Sequence, residues 1–184
     1  MLIYPHLVDL YSFMDFEGPG AKGGADQLVH TLKAFTGAGI VNSVIALFDN
    51  DTGALAALRG LKKEILPTSI RILHYPPLEV AKRYPTLGPN GLVEMDVNGL
   101  AGSLEMYFGK DVLRQDDGSL TPVQWKGYDS GLRQYQGELL DKSKLQSRFF
   151  TKLEIALSDS AITETQDWSE VRLILDAIRS AFTD

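Results

Sequence analysis

Apolar positions in the first half of the chain switch between two spacings. Over residues 7–17 the β-formers Val8, Leu10, Tyr11, Phe13 and Phe16 crowd together, and Gly18-Pro19-Gly20 stops them, which predicts a strand. Gly23-Gly24-Ala25-Asp26 then opens a helix in which Leu28, Val29, Leu32 and Phe35 recur at helical spacing, ended by Gly37 and Gly39. Residues 41–48 are expected to form a second strand, and its fully apolar part, Val44 to Phe48, is the pattern of a strand buried on both faces. A second helix is expected over 52–63, with Leu55, Leu58 and Leu61 on one face, and a third strand over 68–74. The order β-α-β-α-β predicts an α/β fold, Rossmann-like, with a central, mainly parallel sheet flanked by helices.

The second half is less regular. Residues 75–91 are rich in proline and glycine, with one short helix expected at 78–83. A fourth strand is expected over 92–97, and the first turns of a helix over 102–108. Asp116-Asp117-Gly118 reads as a turn in a small hairpin or loop. Residues 141–157 and 168–182 each carry an ordinary apolar stripe and read as packing helices. The chain of 184 residues suits one domain. Within it, residues 1–115 are expected to form the catalytic core, and 116–184 a hairpin or loop plus two C-terminal helices packed on it.

Composition narrows the chemistry. With no cysteine, disulfides, thiolate zinc sites and cysteine nucleophiles are excluded, and a reducing cytoplasm is the expected setting. The histidines His6, His30 and His74 share no ligand-like spacing, which argues against a histidine-rich zinc site. The net charge of −6 does not announce nucleic-acid binding, although a bound metal or a local basic patch can offset acids at a site. No apolar run approaches the length of a membrane span, and the N-terminus lacks the pattern of a signal peptide. Its direct entry into an expected strand fits a chain that has lost an upstream domain; a partner subunit or an oligomer is a further expectation.

The most telling stretch is Val44-Ile45-Ala46-Leu47-Phe48-Asp49-Asn50-Asp51-Thr52-Gly53. A buried strand ending in two carboxylates places both at the carboxyl edge of a sheet, where open α/β folds bind ligands. Close carboxylates resist joint ionisation unless a cation sits between them, and a hard divalent ion with oxygen ligands is the simplest answer. Other charges stand at element ends: Glu17 closes the first expected strand, Glu105 follows the fourth, and Lys142 or Lys144 begins the late helix. Each has a plainer reading. Asp51 before Thr52 suits a helix N-cap, and Asp26 and Glu105 suit first helical turns. The glycine-rich Gly18 to Gly24 stretch lacks the closing Gly-Lys-Ser/Thr of a nucleotide P-loop.

Glu17-Gly18 at the end of a first strand, Asp49-x-Asp51 at the end of a second, Ser103-x-Glu105 downstream and a late lysine together resemble the Toprim domain. The likeness is to the version in the overcoming-lysogenization-defect nucleases and in proteins joining a HEPN domain to a Toprim domain. It implies divalent-metal-dependent cleavage of phosphodiester bonds in DNA or RNA, in a bacterial defence or nucleic-acid-processing protein. It also implies that Asp49, Asp51 and Glu105 hold Mg²⁺ or Mn²⁺. On the same resemblance Glu17 ligates metal or acts as base, a late lysine (Lys142 or Lys144) stabilises transition-state charge, and Ser103 orients a carboxylate or binds ligand. One position departs from the pattern: where the family carries an acid four residues after the first glutamate, this chain has Ala21, and the glycine insertion shifts the equivalent to Asp26. That departure leaves open a degenerate Toprim module that binds nucleic acid or partner proteins without cutting. Another Mg²⁺-dependent phosphotransfer enzyme is the remaining alternative. The Asp-x-Asp-x-Thr of haloacid-dehalogenase-like phosphatases fails here, because Gly53 stands where the threonine is needed.

Overall fold

The computed structural model describes residues 3–7, 9–14 and 24–183. A 3₁₀ turn at Pro5–Leu7 precedes α1 (Ala25–Gly37), β1 (Val44–Phe48), β2 (Asn50–Asp51) and α2 (Thr52–Leu58), which runs on into a 3₁₀ turn at Arg59–Leu61. Then come β3 (Ile70–His74), a 3₁₀ turn at Val80–Arg83, β4 (Tyr84–Gly88), β5 (Gly91–Met95) and β6 (Ala101–Gly102). A 3₁₀ turn at Leu104–Tyr107 leads to α3 (Lys110–Leu113), β7 (Val123–Asp129) and β8 (Gln134–Leu139). The chain closes with α4 (Lys142–Ser158), α5 (Ser160–Thr163) and α6 (Ser169–Ser180).

The expected alternation holds from α1 to β3. Gly24 takes a φ of 117°, a conformation that favours glycine, and turns the chain into α1. Val29 and Leu32 bury one face of that helix. They pack with Ala46 and Phe48 of β1, Ala54 of α2, Leu61 and Ile70 in one apolar cluster. β1 and β3 run parallel, in register from Val44↔Ile70 to Phe48↔His74. A βαβ unit is thus present, with α1 and α2 packed on it.

Two expectations fail here. Of the strand expected over 7–17, the described residues form a 3₁₀ turn through Leu7, a turn at 9–10 and irregular chain at 11–14; residues 8 and 15–17 lie outside the described residues. Pro5 favours the local turn, and Asp9 and Ser12 interrupt the apolar run that a buried strand needs. The described strands do not form one mainly parallel sheet: β1 and β3 pair by themselves, β2 pairs with β6, and the four-stranded sheet is mixed. β4 pairs antiparallel with β5 and parallel with β7, and β7 pairs antiparallel with β8, in the order β5-β4-β7-β8. The fold is therefore α/β with a mixed sheet and flanking helices. β4 hides in the proline-rich stretch because Tyr84 and Thr86 are buried on one face while Pro85 and Leu87 fall on the other.

A second, larger cluster joins this sheet to the C-terminal helices. Tyr84, Met106, Leu113, Val123, Leu139 and Leu145 lie at its centre, with Ile174 of α6 at its margin. It seats the 3₁₀ turn at Leu104–Tyr107 and the start of α4 beside the end of β1. Among the described residues no helix is long and apolar enough to cross a membrane.

Candidate functional site

A two-residue bridge assembles the acids. Asn50 pairs with Gly102 and Asp51 with Ala101, antiparallel. The segment Asp49-Asn50-Asp51 is thereby laid beside Gly102-Ser103-Leu104-Glu105. The bridge depends on a glycine: a Cβ at position 102 would stand 2.6 Å from the backbone oxygen of Asn50.

Asp51 is the N-cap of α2, its backbone extended and its Oδ1 accepting from the Ala54 N–H at 2.7 Å. Its other oxygen, Oδ2, accepts from Nε2 of Gln136 on β8 at 2.8 Å. Glu105 is only 6% exposed. Its Oε2 accepts from Ser103 Oγ at 2.8 Å and its Oε1 from Gln146 Nε2 at 2.8 Å. The Lys142 ammonium stands 3.9 Å from Oε2. Lys142 and Gln146 reach the same carboxylate because residues four apart share a helix face.

Asp49 is placed differently. Its side chain is half-buried, and among the described residues no hydrogen bond reaches its carboxylate. Burial first, then the charge of Asp51, push its pKa up to about 6; Lys142 pulls the other way and Glu105 adds a smaller push. These couplings place Asp49, Asp51, Glu105 and Lys142 in one electrostatic neighbourhood. His74 Nδ1 lies 3.2 Å from the Asp49 carbonyl oxygen. The Tyr75 hydroxyl is pushed up by burial, then by Asp49 and Glu105, and stays protonated. A cleft of about 500 Å³ opens over the pair, lined by Gly24, Asp26, Phe48, Asp49, Asp51 and Gly53 among others.

No protein-family model matches the chain, and no curated protein and no solved structure matches it. The residues alone carry the functional reading.

Of the residues singled out from sequence, Asp49, Asp51, Ser103, Glu105 and Lys142 come together. Asp26, in the first turn of α1, lines the same cleft but is exposed and makes no bond to the pair among the described residues. Lys144 is exposed on α4, and no ion pair among the described residues ties it to the acids. Glu17 lies outside the described residues. Gln136 and Gln146 were not foreseen. The only hint of Gln146 is its position four after Lys142, and of Gln136 its alternation with Gln134 and Glu138.

Among the described residues no group of three or more His, Cys, Asp or Glu is arranged to hold a metal by itself. Asp49 and Asp51 nevertheless offer hard oxygens, and the Asp49 carboxylate accepts no hydrogen bond among the described residues. Mg²⁺ is commonly held through one or two carboxylates with water completing the shell. The pair fits such an ion; Glu105, with both oxygens hydrogen-bonded and an ammonium nearby, fits less well as a direct ligand.

Proposed function

We propose that this cleft is a divalent-metal-dependent nuclease site of Toprim type, hydrolysing phosphodiester bonds of DNA or RNA. The observation that carries the reading is the convergence of Glu105 and Lys142, far off in sequence, on the Asp49-Asn50-Asp51 segment, where the Asp49 carboxylate accepts no hydrogen bond among the described residues. Asp49 and Asp51 would hold Mg²⁺ or Mn²⁺. Bound there, such an ion neutralises phosphate charge and lowers the pKa of water. Glu105 anchors the Lys142 ammonium, which is half-exposed and free to turn toward a phosphate. Ser103 and Gln146 fix Glu105 from behind. Glu17 keeps the ligand or base role that the resemblance implies. A role in bacterial defence or nucleic-acid processing, in the cytoplasm, belongs to the same reading.

The decisive experiment is a cleavage screen on single- and double-stranded DNA and RNA with Mg²⁺ or Mn²⁺, comparing wild type with Asp49→Asn. Products from wild type alone are expected. Equal products from both proteins would remove the assignment.

A second reading has its own support. Both oxygens of Asp51 and both of Glu105 already take protein donors, as they would in a degenerate module that binds nucleic acid without cutting. Binding of an oligonucleotide without cleavage, unaffected by a chelator, is its signature.

A further inference from the structure

We infer that Gln136 is a positioning residue that holds Asp51 in place to receive a cation; the inference rests on the metal reading of the cleft. The Gln136 side-chain amide is locked by three contacts. Its Nε2 donates to Asp51 Oδ2 at 2.8 Å and to the Gly137 carbonyl at 3.0 Å, and its Oε1 accepts from the Gly53 N–H at 2.6 Å. The amide has one workable orientation. Reversed, it would set oxygen against the Asp51 carboxylate and N–H against N–H at Gly53.

Capping does not require this contact. Oδ1 alone serves the cap, through Ala54 N–H. The bond to Oδ2 takes away the rotation that a cap would leave to the carboxylate. Each oxygen then carries one N–H donor and keeps lone-pair capacity for a cation. A carboxylate already fixed loses less freedom when it binds, and polar groups behind a metal ligand commonly set its affinity.

The platform carrying Gln136 is itself anchored. Thr52 Oγ1 donates to the Tyr135 carbonyl at 2.7 Å, and Gln134 Nε2 donates to Thr52 Oγ1 at 3.0 Å and to the Gly99 carbonyl at 3.1 Å. These bonds stitch β8 to the start of α2 without touching Asp51. They separate a general loosening of the two elements from loss of the Gln136–Asp51 contact.

The test is Mn²⁺ titration of wild type, Gln136→Met, the milder Gln136→Asn and Thr52→Val by calorimetry, with melting temperatures taken in EDTA. Gln136→Met and Gln136→Asn are expected to raise the Mn²⁺ Kd roughly tenfold to a hundredfold. Thr52→Val is expected to lower the melting temperature with Kd unchanged. Wild-type Kd in both Gln136 variants overturns the inference alone, as does an equal rise in Thr52→Val. A wild type that takes up no Mn²⁺ overturns the metal reading and this inference with it.

Discussion

Asp49 is charged at neutral pH against its surroundings, and that strain has a pH signature. Its pKa in the fold is about 6, against an ordinary value of 3.8. Between those values the folded protein holds a proton that the unfolded chain has released. Stability therefore falls as pH rises through this window and levels off above it. The shift corresponds to about 1–3 kcal/mol once partial solvent exposure is allowed for. In metal-free protein, Asp49→Asn is expected to be more stable than wild type by that amount at about pH 7.5, with the gap closing toward about pH 4. Urea denaturation in EDTA across this range measures it; a gap constant with pH would show that the carboxylate is not strained. Lys152 is the opposite case, a charge fully partnered. It is 5% exposed, donates to Asp111 Oδ1 and the Phe108 carbonyl at 2.8 Å each and to the Asp167 carbonyl, and lies 4.3 Å from the Trp168 ring centroid. Lys152→Met strands those acceptors and is expected to cost about 2–4 kcal/mol in denaturant titration, leaving Mn²⁺ affinity unchanged. Nothing in the spacing of Lys142, Lys144 and Lys152 along one helix says which is buried, because that depends on α3 and the Asp167 loop arriving from elsewhere.

Elements were legible in sequence where their own periodicity set their fate. α1, β1, α2, β3 and α6 lie inside their expected ranges, and α4 runs one residue past its own, to Ser158. β7 and β8 were not legible. Lys126, Gly127 and Tyr128 in β7 are exposed, and β8 reads Gln-Tyr-Gln-Gly-Glu-Leu; partners across the ladder hold these strands more than their own composition does. The β2–β6 bridge was least legible of all. It has two residues on each side, too short for any pattern, yet it joins the halves of the site. Gly102→Ala tests its weight. The new Cβ meets backbone rather than a flexible side chain, so the strands themselves must separate. A loss of about 1–3 kcal/mol is expected, as for other overpacked sites, together with weaker Mn²⁺ binding, because Asp51 shifts away from Gln136. Denaturation and calorimetry on the one variant read both; a stability loss with wild-type Mn²⁺ affinity would mean that the bridge supports the fold but not the site.

The acids of the site could be read in sequence because chemistry restricts where carboxylates cluster; their supporting amides could not, because glutamine suits any half-exposed surface. Gln136 and Gln146 gain meaning only when β8 and α4 are folded against Asp51 and Glu105. At the scale of the whole molecule, charge sets a further condition. The chain carries a net −6, so a polyanion meets overall repulsion and local cations must overcome it. α4 offers Lys142 and Lys144, while its Arg148 is held by Asp116 at 2.7 Å and by the Arg114 carbonyl at 2.6 Å. Among the described residues α4 thus makes a weak patch by itself, and neutralising Asp49 and Asp51 becomes the larger contribution. Binding of a fluorescent oligonucleotide, followed by anisotropy with Ca²⁺ replacing Mg²⁺ to suppress cleavage, is accordingly expected to vanish in EDTA. It is also expected to weaken as salt rises and to fall several-fold in Lys142→Met. Binding that survives EDTA and Asp49→Asn alike would relocate the nucleic-acid surface away from this cleft and favour the non-cutting module over the nuclease.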